Sequence, residues 1–291
     1  MTTPSSDASS DTVPDRGQSG DGHAAALPVY DTLALRWLAA ADGVLEIRLN
    51  RPHRLNAVTE QLYDDLQSAL ALARTTTRVR ALVLTGEGRA FCVGADMKEH
   101  GGASRSTYER RLYLERGNAA CEALYRLPKP VIAAVNGYAL GAGAEMAVAC
   151  DFILMADEAQ IGFPETSIGT SVGGGVSKIL PQIVGLTQAR RLLYTGERIT
   201  GAEAARLQLA LQACPAEQLP NEVQALGERL AAQAPVSMAM LKRLVNTGAA
   251  NDLDGHLQQE LDAVFTCSTT ADWQEGVVAF AQKRRPCFQG R

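Results

Sequence analysis

The stretch Gly137 to Asp151, GYALGAGAEMAVACD, places a single acid, Glu145, inside a run of glycine, alanine and small apolar residues. It connects two apolar runs, VIAAVNG at 131–137 and DFILMA at 151–156, which are typical of buried parallel strands. We therefore predict a turn and a helix, with residues 141–143 in the first helical turn. Backbone N–H groups there lack intrahelical partners and attract negative charge, so an anion site beside Glu145 is one interpretation. Taken alone, the stretch is explained more simply by ordinary helix capping and close helix packing.

Outward from this stretch, the chain repeats the same alternation of strands and helices. The pattern predicts helices at 59–74 and 108–127 and from 142 onward, and strands at 81–86, 131–137 and 151–156. A hairpin with one buried face precedes them, because residues alternate on both sides of a turn at Asp42-Gly43: apolar Leu33, Leu35, Trp37, Leu45, Ile47 and Leu49, and polar Glu46, Arg48 and Asn50. This rhythm is typical of an α/β fold. Beyond Gly185 the pattern is mostly helical, and the last third of the chain is predicted to pack as helices without a sheet.

Composition limits the possible classes of function. The 291 residues are 46% hydrophobic, enough for a sizeable core, and the formal net charge of -4 argues against nucleic acid or an anionic membrane surface as a partner. Residues 1–27 are rich in Ser, Thr, Asp and Gly, and are predicted to form a disordered tail. No apolar run is long enough to span a membrane and no secretory signal is evident, so a cytoplasmic protein is expected. The six cysteines lack C-x-x-C spacing and are expected to be reduced thiols: Cys92, Cys121, Cys150, Cys214, Cys267 and Cys287.

Two further stretches have the character of the first. GEGRAFCVGADMKEH at 86–100 follows a predicted strand and contains a small-residue turn at Gly94-Ala95. Two such turns could direct two backbone N–H groups at one oxygen, which is what stabilises a developing enolate oxyanion. IGFPETSIGTSVGGG at 161–175 adds a second acid, Glu165, directly after Pro164. Two carboxyl groups beside an oxyanion hole predict proton-transfer chemistry.

Four segments, in this order, resemble those of the crotonase family, also called the enoyl-CoA hydratase and isomerase superfamily: NRPHRLNAV, FCVGADMKE, NGYALGAGAEMAVACD and FPETSIGT. The resemblance covers the chain from about Leu33 to its C-terminus. It implies a crotonase-like spiral of ββα repeats at 28–199, which would hold the active site. It also implies a helical C-terminal region at 200–291 that joins subunits into a homotrimer, often paired as a homohexamer.

The resemblance further implies roles for four residues. The N–H groups of Ala95 and Ala142 would hold the thioester oxygen of a 2-enoyl-CoA substrate. Glu145 would activate a water molecule that adds at C3, and Glu165 would deliver a proton to C2. Hydration is favoured over a shift of the double bond, because relatives that only shift it typically manage with one acid at the position of Glu165.

Coenzyme A binding is implied in the same way, with the coenzyme arriving as part of the substrate. The matching residues are Arg54, Leu55, Asp96, Met97 and Lys98. Lys283 would reach the phosphates of the coenzyme A bound to a neighbouring subunit. No metal site or redox cofactor is expected. His100 is interpreted as a solvent-facing helix residue rather than a catalyst.

Two departures leave the substrate open. Ala142 stands where the family usually has glycine, and Val172 stands where proline is common, both near the expected acyl pocket. Other reactions of the family remain alternatives: isomerisation, thioester hydrolysis and hydration coupled to cleavage of an aromatic acyl-CoA. A non-catalytic binding or scaffold protein is the alternative from another class. Leu241, Leu244 and Leu261 in the late helices could belong to a subunit interface or to the core.

Overall fold

A computed structural model of the chain describes residues 26–38, 41–98 and 105–291. Nearly all of the tail predicted at 1–27 therefore lies outside the described residues, and so does His100. Leu27, near the start of the described residues, is half-buried and packs against the hydrophobic core.

The strands of the described residues form two sheets. The first has the order β1-β2-β3-β5-β7-β10, with every pair parallel except β1 and β2, and the second has the order β4-β6-β8-β9, with only β8 and β9 antiparallel. The strands are β1 Leu33–Trp37, β2 Val44–Leu49, β3 Ala81–Gly86, β4 Ala90–Cys92, β5 Val131–Val135, β6 Tyr138–Leu140, β7 Phe152–Ala156, β8 Gln160–Gly162, β9 Arg198–Thr200 and β10 Gln212–Cys214.

The helices cover the faces of these sheets and fill the C-terminal part. They are α1 Glu60–Thr75, α2 Thr107–Tyr125, α3 Ala142–Val148, α4 Val176–Thr195, α5 Gly201–Arg206, α6 Leu219–Ala231, α7 Pro235–Gly248, α8 Leu253–Ser268 and α9 Ala271–Ala281. Their starts follow from local sequence: the Thr59 side chain accepts the Leu62 N–H at the start of α1, and Ser106 and Glu109 form a capping box before α2. Within the described ranges, no helix is both long and apolar enough to cross a membrane.

The predicted α/β spiral is confirmed by the way the strands alternate between sheets. β3, β5 and β7 lie side by side in the first sheet, and the strand that follows each of them, β4, β6 or β8, lies in the second. Because β4, β6 and β8 are parallel neighbours, their carboxyl ends meet at one edge. The two predicted small-residue turns and the Pro164-Glu165 segment follow these ends, so the fold brings the three together.

The prediction of a sheet-free last third is wrong. β10 extends the first sheet, pairing in parallel with β7, and β9 pairs antiparallel with β8 in the second. Both strands have only three residues. In β9 one buried residue, Ile199, lies between two exposed ones. Segments of this length carry too little periodicity to be separated from the turns between helices.

The hairpin forms as predicted, but its polar face is not fully open to water. Glu46 of β2 is 4% exposed and accepts hydrogen bonds from two arginines. Arg36 donates from Nε to Oε1 at 2.7 Å and from Nη2 to Oε2 at 2.9 Å, and Arg48 donates from Nε to Oε1 at 2.9 Å. The paired guanidinium groups explain how a carboxylate is kept at a buried position, and they hold its pKa below the ordinary value against the opposing effect of burial.

Candidate active site

The first small-residue turn is fixed by a short parallel bridge to the segment before α1. The Val58 N–H donates to the Gly94 carbonyl at 2.8 Å, and the Asp96 N–H donates to the Val58 carbonyl at 2.9 Å. This pattern uses the groups on either side of Ala95 and leaves the Ala95 N–H without a backbone acceptor among the described residues. Ala95 itself is half-buried.

The second turn places Ala142 at the first position of α3. An N–H at that position has no intrahelical partner, and it points out of the positive end of the helix. The Gly141 N–H donates to the Gly162 carbonyl at 3.1 Å, which ties the end of β6 to the end of β8. A Cβ atom placed on Gly94 would lie 3.4 Å from the Ala142 nitrogen, so the two turns are in contact. The structure thus brings together the two turns that contain the N–H groups predicted for the oxyanion.

Glu145 lies one turn into α3, on its buried side. The side chain is 9% exposed, and its Oε1 accepts a hydrogen bond from the Gly173 N–H at 2.6 Å. Burial raises the pKa of the Glu145 carboxyl, the Gly173 N–H opposes that rise, and the neighbouring charge of Glu165 adds to it. The influence of Glu165 means that the two acids lie close enough to interact.

Glu165 lies in a short 3-10 helix, Pro164–Ile168, directly after β8. It is 7% exposed, and its Oε2 is buried with no hydrogen-bond partner among the described residues. Burial raises the pKa of this carboxyl above the ordinary value, against the effect of its own backbone N–H. An unpartnered buried oxygen costs free energy in the ionised state, so the site favours the protonated acid.

Gly141 is the residue that lets Glu165 approach the second turn. Its φ of +54° belongs to the left-handed region that other residues rarely adopt. A Cβ atom at this position would also lie 3.1 Å from Glu165 Oε1, tighter than an ordinary contact. Both observations explain why a glycine precedes Ala142.

The residues predicted to hold coenzyme A lie beside the first turn. Arg54, Met97 and Lys98 are exposed, and Leu55 is half-buried with its carbonyl accepting the Val93 N–H at 3.3 Å. They therefore line the surface next to Ala95, and their contact with the coenzyme stays a prediction. Lys283 is exposed beyond α9, and its predicted partner is a ligand in a neighbouring subunit.

Asp96 has a structural role that the sequence did not predict. Its carboxylate is buried, pairs with Arg51 Nη2 at 3.3 Å and accepts the Lys98 N–H at 3.2 Å. Arg51 lies in the NRP segment of the sequence motif. The motif does not predict that Arg51 forms an ion pair with Asp96 and thereby fixes the turn. No local pattern links two residues that are 45 positions apart.

Two further contacts were also missed. The Gly173 N–H that binds Glu145 comes from the three glycines that end the IGFPETSIGTSVGGG stretch, to which the sequence assigned no role. Asn118 of α2 accepts the N–H of the next glycine, Gly174, at 2.9 Å, and nothing in the sequence around Asn118 indicates it.

The assembled site can stabilise a negative oxygen and move protons beside it. Two adjacent N–H groups suit the oxygen of a carbonyl compound that becomes an enolate. Two carboxyl groups with raised pKa values lie next to them and can give or accept protons there.

Known proteins are similar to this chain in sequence and in fold. The "Enoyl-CoA hydratase, mitochondrial" of Pongo abelii is 37% identical over 243 residues, covering 84% of this chain and 82% of that protein. The "Crotonyl-CoA hydratase" of Syntrophomonas wolfei is 34% identical, covering 82% and 92%. A crystal structure of an enoyl-CoA hydratase from Bacillus anthracis matches with a TM-score of 0.85 at 33% identity, covering 89% of this chain and 100% of that one. Residues 39–291 match the family described as enoyl-CoA hydratase/isomerase, and the chain belongs to that family, as its motifs predict.

Proposed function

We propose that the protein is an enoyl-CoA hydratase, a hydro-lyase that adds water across the double bond of a 2-enoyl-CoA thioester. The pairing of Glu145 with Glu165 beside the two N–H groups carries this proposal. Water must lose a proton as its oxygen bonds to C3, and C2 must gain one, so hydration needs two proton-transfer groups. Relatives that bear the names of hydratases support the same reaction.

The oxyanion turns would act at the stage where charge develops. As the water oxygen attacks C3, the electron pair of the C2–C3 bond moves toward the thioester, and negative charge builds on the thioester oxygen. The N–H groups of Ala95 and Ala142 would donate to that oxygen without rearrangement. Removal of one such donor typically costs about 10²–10³ in rate.

The environments of the two acids favour a division of labour. Glu145 keeps a hydrogen bond from the Gly173 N–H, which stabilises its ionised form, the form that takes a proton from water. Glu165 has a buried oxygen without a partner in the described chain, which favours its protonated form, the form that gives a proton to C2. Two carboxyl groups whose surroundings differ in this way suit one base and one acid.

The proposed substrate brings coenzyme A with it. Backbone and side-chain groups near Arg54, Leu55, Asp96, Met97 and Lys98 would contact the coenzyme, with Lys283 of another subunit reaching its phosphates. The chemistry itself needs no resident metal or redox group, because two N–H groups hold the charge and two carboxyl groups move the protons.

The direct test is the loss of the conjugated enoyl absorbance when purified protein is added to crotonyl-CoA. Glu145→Gln and Glu165→Gln should each lower kcat by about 10²–10⁴, the usual contribution of a general acid or base. Glu158→Gln is the matched control, since Glu158 is exposed and lies outside the site. Near-normal rates in both site variants would contradict the mechanism.

Product mass separates the alternatives in the same experiment. A gain of one water supports hydration, whereas an unchanged mass would indicate isomerisation. Free coenzyme A would indicate hydrolysis, and a shortened acyl chain would indicate hydration with cleavage. Stable binding of acyl-CoA with no product would favour a binding protein.

We further propose that the protein works in the cytoplasm as a homotrimer or a pair of trimers. Six cysteines that form no disulfide in the structure support a reducing compartment. Large apolar side chains are exposed on the C-terminal helices, including Leu241 and Leu261, which supports burial between subunits. Leu244, by contrast, is 8% exposed and belongs to the interior of the single chain.

A further inference from the structure

The turn that contacts Glu145 consists of three consecutive glycines, Gly173–Gly175. Glycine loses more conformational freedom on ordering than any other residue, so such a turn is hard to hold in one place. No side chain can stiffen it from within. Gly174 has a φ of +58°, and a Cβ atom there would lie 2.8 Å from Cys121 Sγ and 3.0 Å from Glu145 Cβ. The turn needs an anchor from elsewhere in the chain.

Asn118 of α2 supplies that anchor. Its Oδ1 accepts the Gly174 N–H at 2.9 Å, and a backbone N–H can only donate, so the atom facing the turn is the amide oxygen. The N–H of the preceding residue, Gly173, donates to Glu145 Oε1 at 2.6 Å. A Cβ atom on Gly173 would lie 3.1 Å from Asn118 Oδ1 and 3.5 Å from Glu145 Oε2. Asn118 and Glu145 therefore hold adjacent N–H groups of one flexible turn.

We propose that Asn118 is a positioning residue for hydration, which fixes the Gly173 N–H and through it the carboxylate of Glu145. The inference rests on the proposed hydratase function. Asn118 acts through the turn and needs no contact with the substrate. Without its anchor, Gly173–Gly175 samples several conformations, and Glu145 loses both its fixed orientation and its hydrogen bond. A misplacement of about 1 Å in a catalytic group can cost on the order of 10² in rate.

The effect on pH dependence has a definite sign. The Gly173 N–H lowers the pKa of Glu145, so its loss raises that pKa, and the ionised base is then present only at higher pH. Other titratable groups packed near Glu145 are Glu165, Cys92, Cys121 and Tyr63. Burial raises the pKa of Cys92 to about 12 and those of Cys121 and Tyr63 well above their ordinary values, which leaves Glu165 as the one carboxyl group among these neighbours.

Two substitutions separate the hydrogen bond from the bulk of the side chain. Asn118→Leu keeps the size and removes the acceptor, whereas Asn118→Asp keeps an oxygen facing Gly174. With crotonyl-CoA, we expect Asn118→Leu to lower the plateau kcat tenfold or more, leave KM within about threefold, and move the acidic limb of the kcat profile to higher pH. Asn118→Asp should keep the plateau kcat within about threefold, although its charge also moves the acidic limb upward. Equal plateau losses in the two variants would overturn the proposal.

Amide hydrogen exchange provides a readout that does not depend on activity. The segment containing Gly173–Gly175 should exchange about tenfold faster in Asn118→Leu than in the wild type, and Asn118→Asp should restore slow exchange. Asn221→Leu, an identical change at an exposed position of α6, should alter neither exchange nor rate. Unchanged exchange in Asn118→Leu would overturn the proposal even if the protein hydrates crotonyl-CoA. If the wild type shows no hydration but exchange rises as expected, the proposed function fails while the anchoring of the turn stands.

Discussion

The carboxyl group of Glu165 is one of those that make the stability of the fold depend on pH. Its folded-state pKa is raised by burial above the value of about 4.3 for an unperturbed glutamate. Its contribution to stability is therefore fully present below about pH 4 and is lost as pH rises through the raised pKa. Glu165→Gln should gain stability relative to the wild type between pH 5 and pH 8. The gain should appear as a higher Tm for the variant, by an amount that grows from pH 5 to pH 8.

Thermal unfolding at pH 5, 6.5 and 8 measures this difference. Glu158→Gln serves again as the control, because Glu158 is exposed and should show the same Tm as the wild type at each pH. A Tm difference between Glu165→Gln and the wild type that does not change with pH would contradict the assignment of a raised pKa.

Individual site residues were predictable only where a local motif contained them. Glu145 and Glu165 could be found because each lies in a small-residue segment between a strand and a helix. The Gly173 and Asn118 contacts could not, since the hydrogen bonds join residues 28 and 56 positions apart. Neither partner has a neighbouring residue pattern that requires the contact. Such links are set by how helices pack on the sheet, which one sequence does not display.

At the scale of an element, the start of α3 can be tested without dismantling the helix. Proline is tolerated at the first position of a helix because the N–H there has no intrahelical partner. Ala142→Pro should therefore keep the fold, remove one of the two proposed oxyanion donors, and lower kcat by about 10²–10³. Ala142→Gly keeps the N–H and should stay within several-fold of wild-type kcat. Steady-state kinetics with crotonyl-CoA, alongside circular dichroism, distinguishes lost chemistry from lost structure.

The element α7 contributes a buried charge to its contact with the core. Lys242 is 8% exposed, and its Nζ donates to Asp151 Oδ2 at 2.7 Å and to the carbonyls of Lys129 at 3.1 Å and Leu124 at 3.3 Å. Lys242→Met would leave the half-buried Asp151 without its cationic partner, so we expect a loss of about 3 kcal/mol in the free energy of unfolding, the lower end of the range for a fully buried pair. Urea unfolding at a fixed protein concentration measures it.

A second substitution shows whether the loss comes from the stranded charge. Asp151→Asn removes the negative charge and keeps an oxygen for the Val131 N–H, which donates to Oδ2 at 2.7 Å in the wild type. The double variant Lys242→Met, Asp151→Asn should recover part of the lost stability. Equal stability of the single and double variants would show that packing, and not charge, dominates at this position.

Elements with strong periodicity were predicted well, and short ones were not. The α1 helix was expected at 59–74 and forms at Glu60–Thr75, while β3 forms at Ala81–Gly86 as predicted. β9 and β10 were missed because three residues at the edge of a sheet are stabilised by their partner strand. The partner, β8 or β7, lies far away in sequence, so only the assembled fold reveals the pairing.

The whole molecule exposes an apolar surface that a single chain leaves uncovered. We define the C-terminal apolar face by exposed side chains of α7, α8 and α9: Leu241, Val245, Leu253, Leu257, Leu261, Val264, Phe265, Trp273, Val277, Val278 and Phe280. A monomeric protein rarely leaves so many large apolar side chains exposed on consecutive helices. If the proposed homotrimer or pair of trimers covers this face, light scattering should give a mass of about three or six times the 31.0 kDa of the chain.

Charges placed on this face should break the assembly without damaging the subunit. Leu261 and Phe265 are 61% and 70% exposed and lie four residues apart on α8, so both project from the same side. In the double variant Leu261→Glu, Phe265→Glu, burial between subunits would desolvate two carboxylates, which strongly disfavours association. We expect a mass near that of one chain, with the circular dichroism of the wild type. Thr77→Glu, at an exposed position outside the face, should leave the mass unchanged. A wild-type protein that is strictly monomeric would contradict the proposed trimer and would require another partner to cover the face.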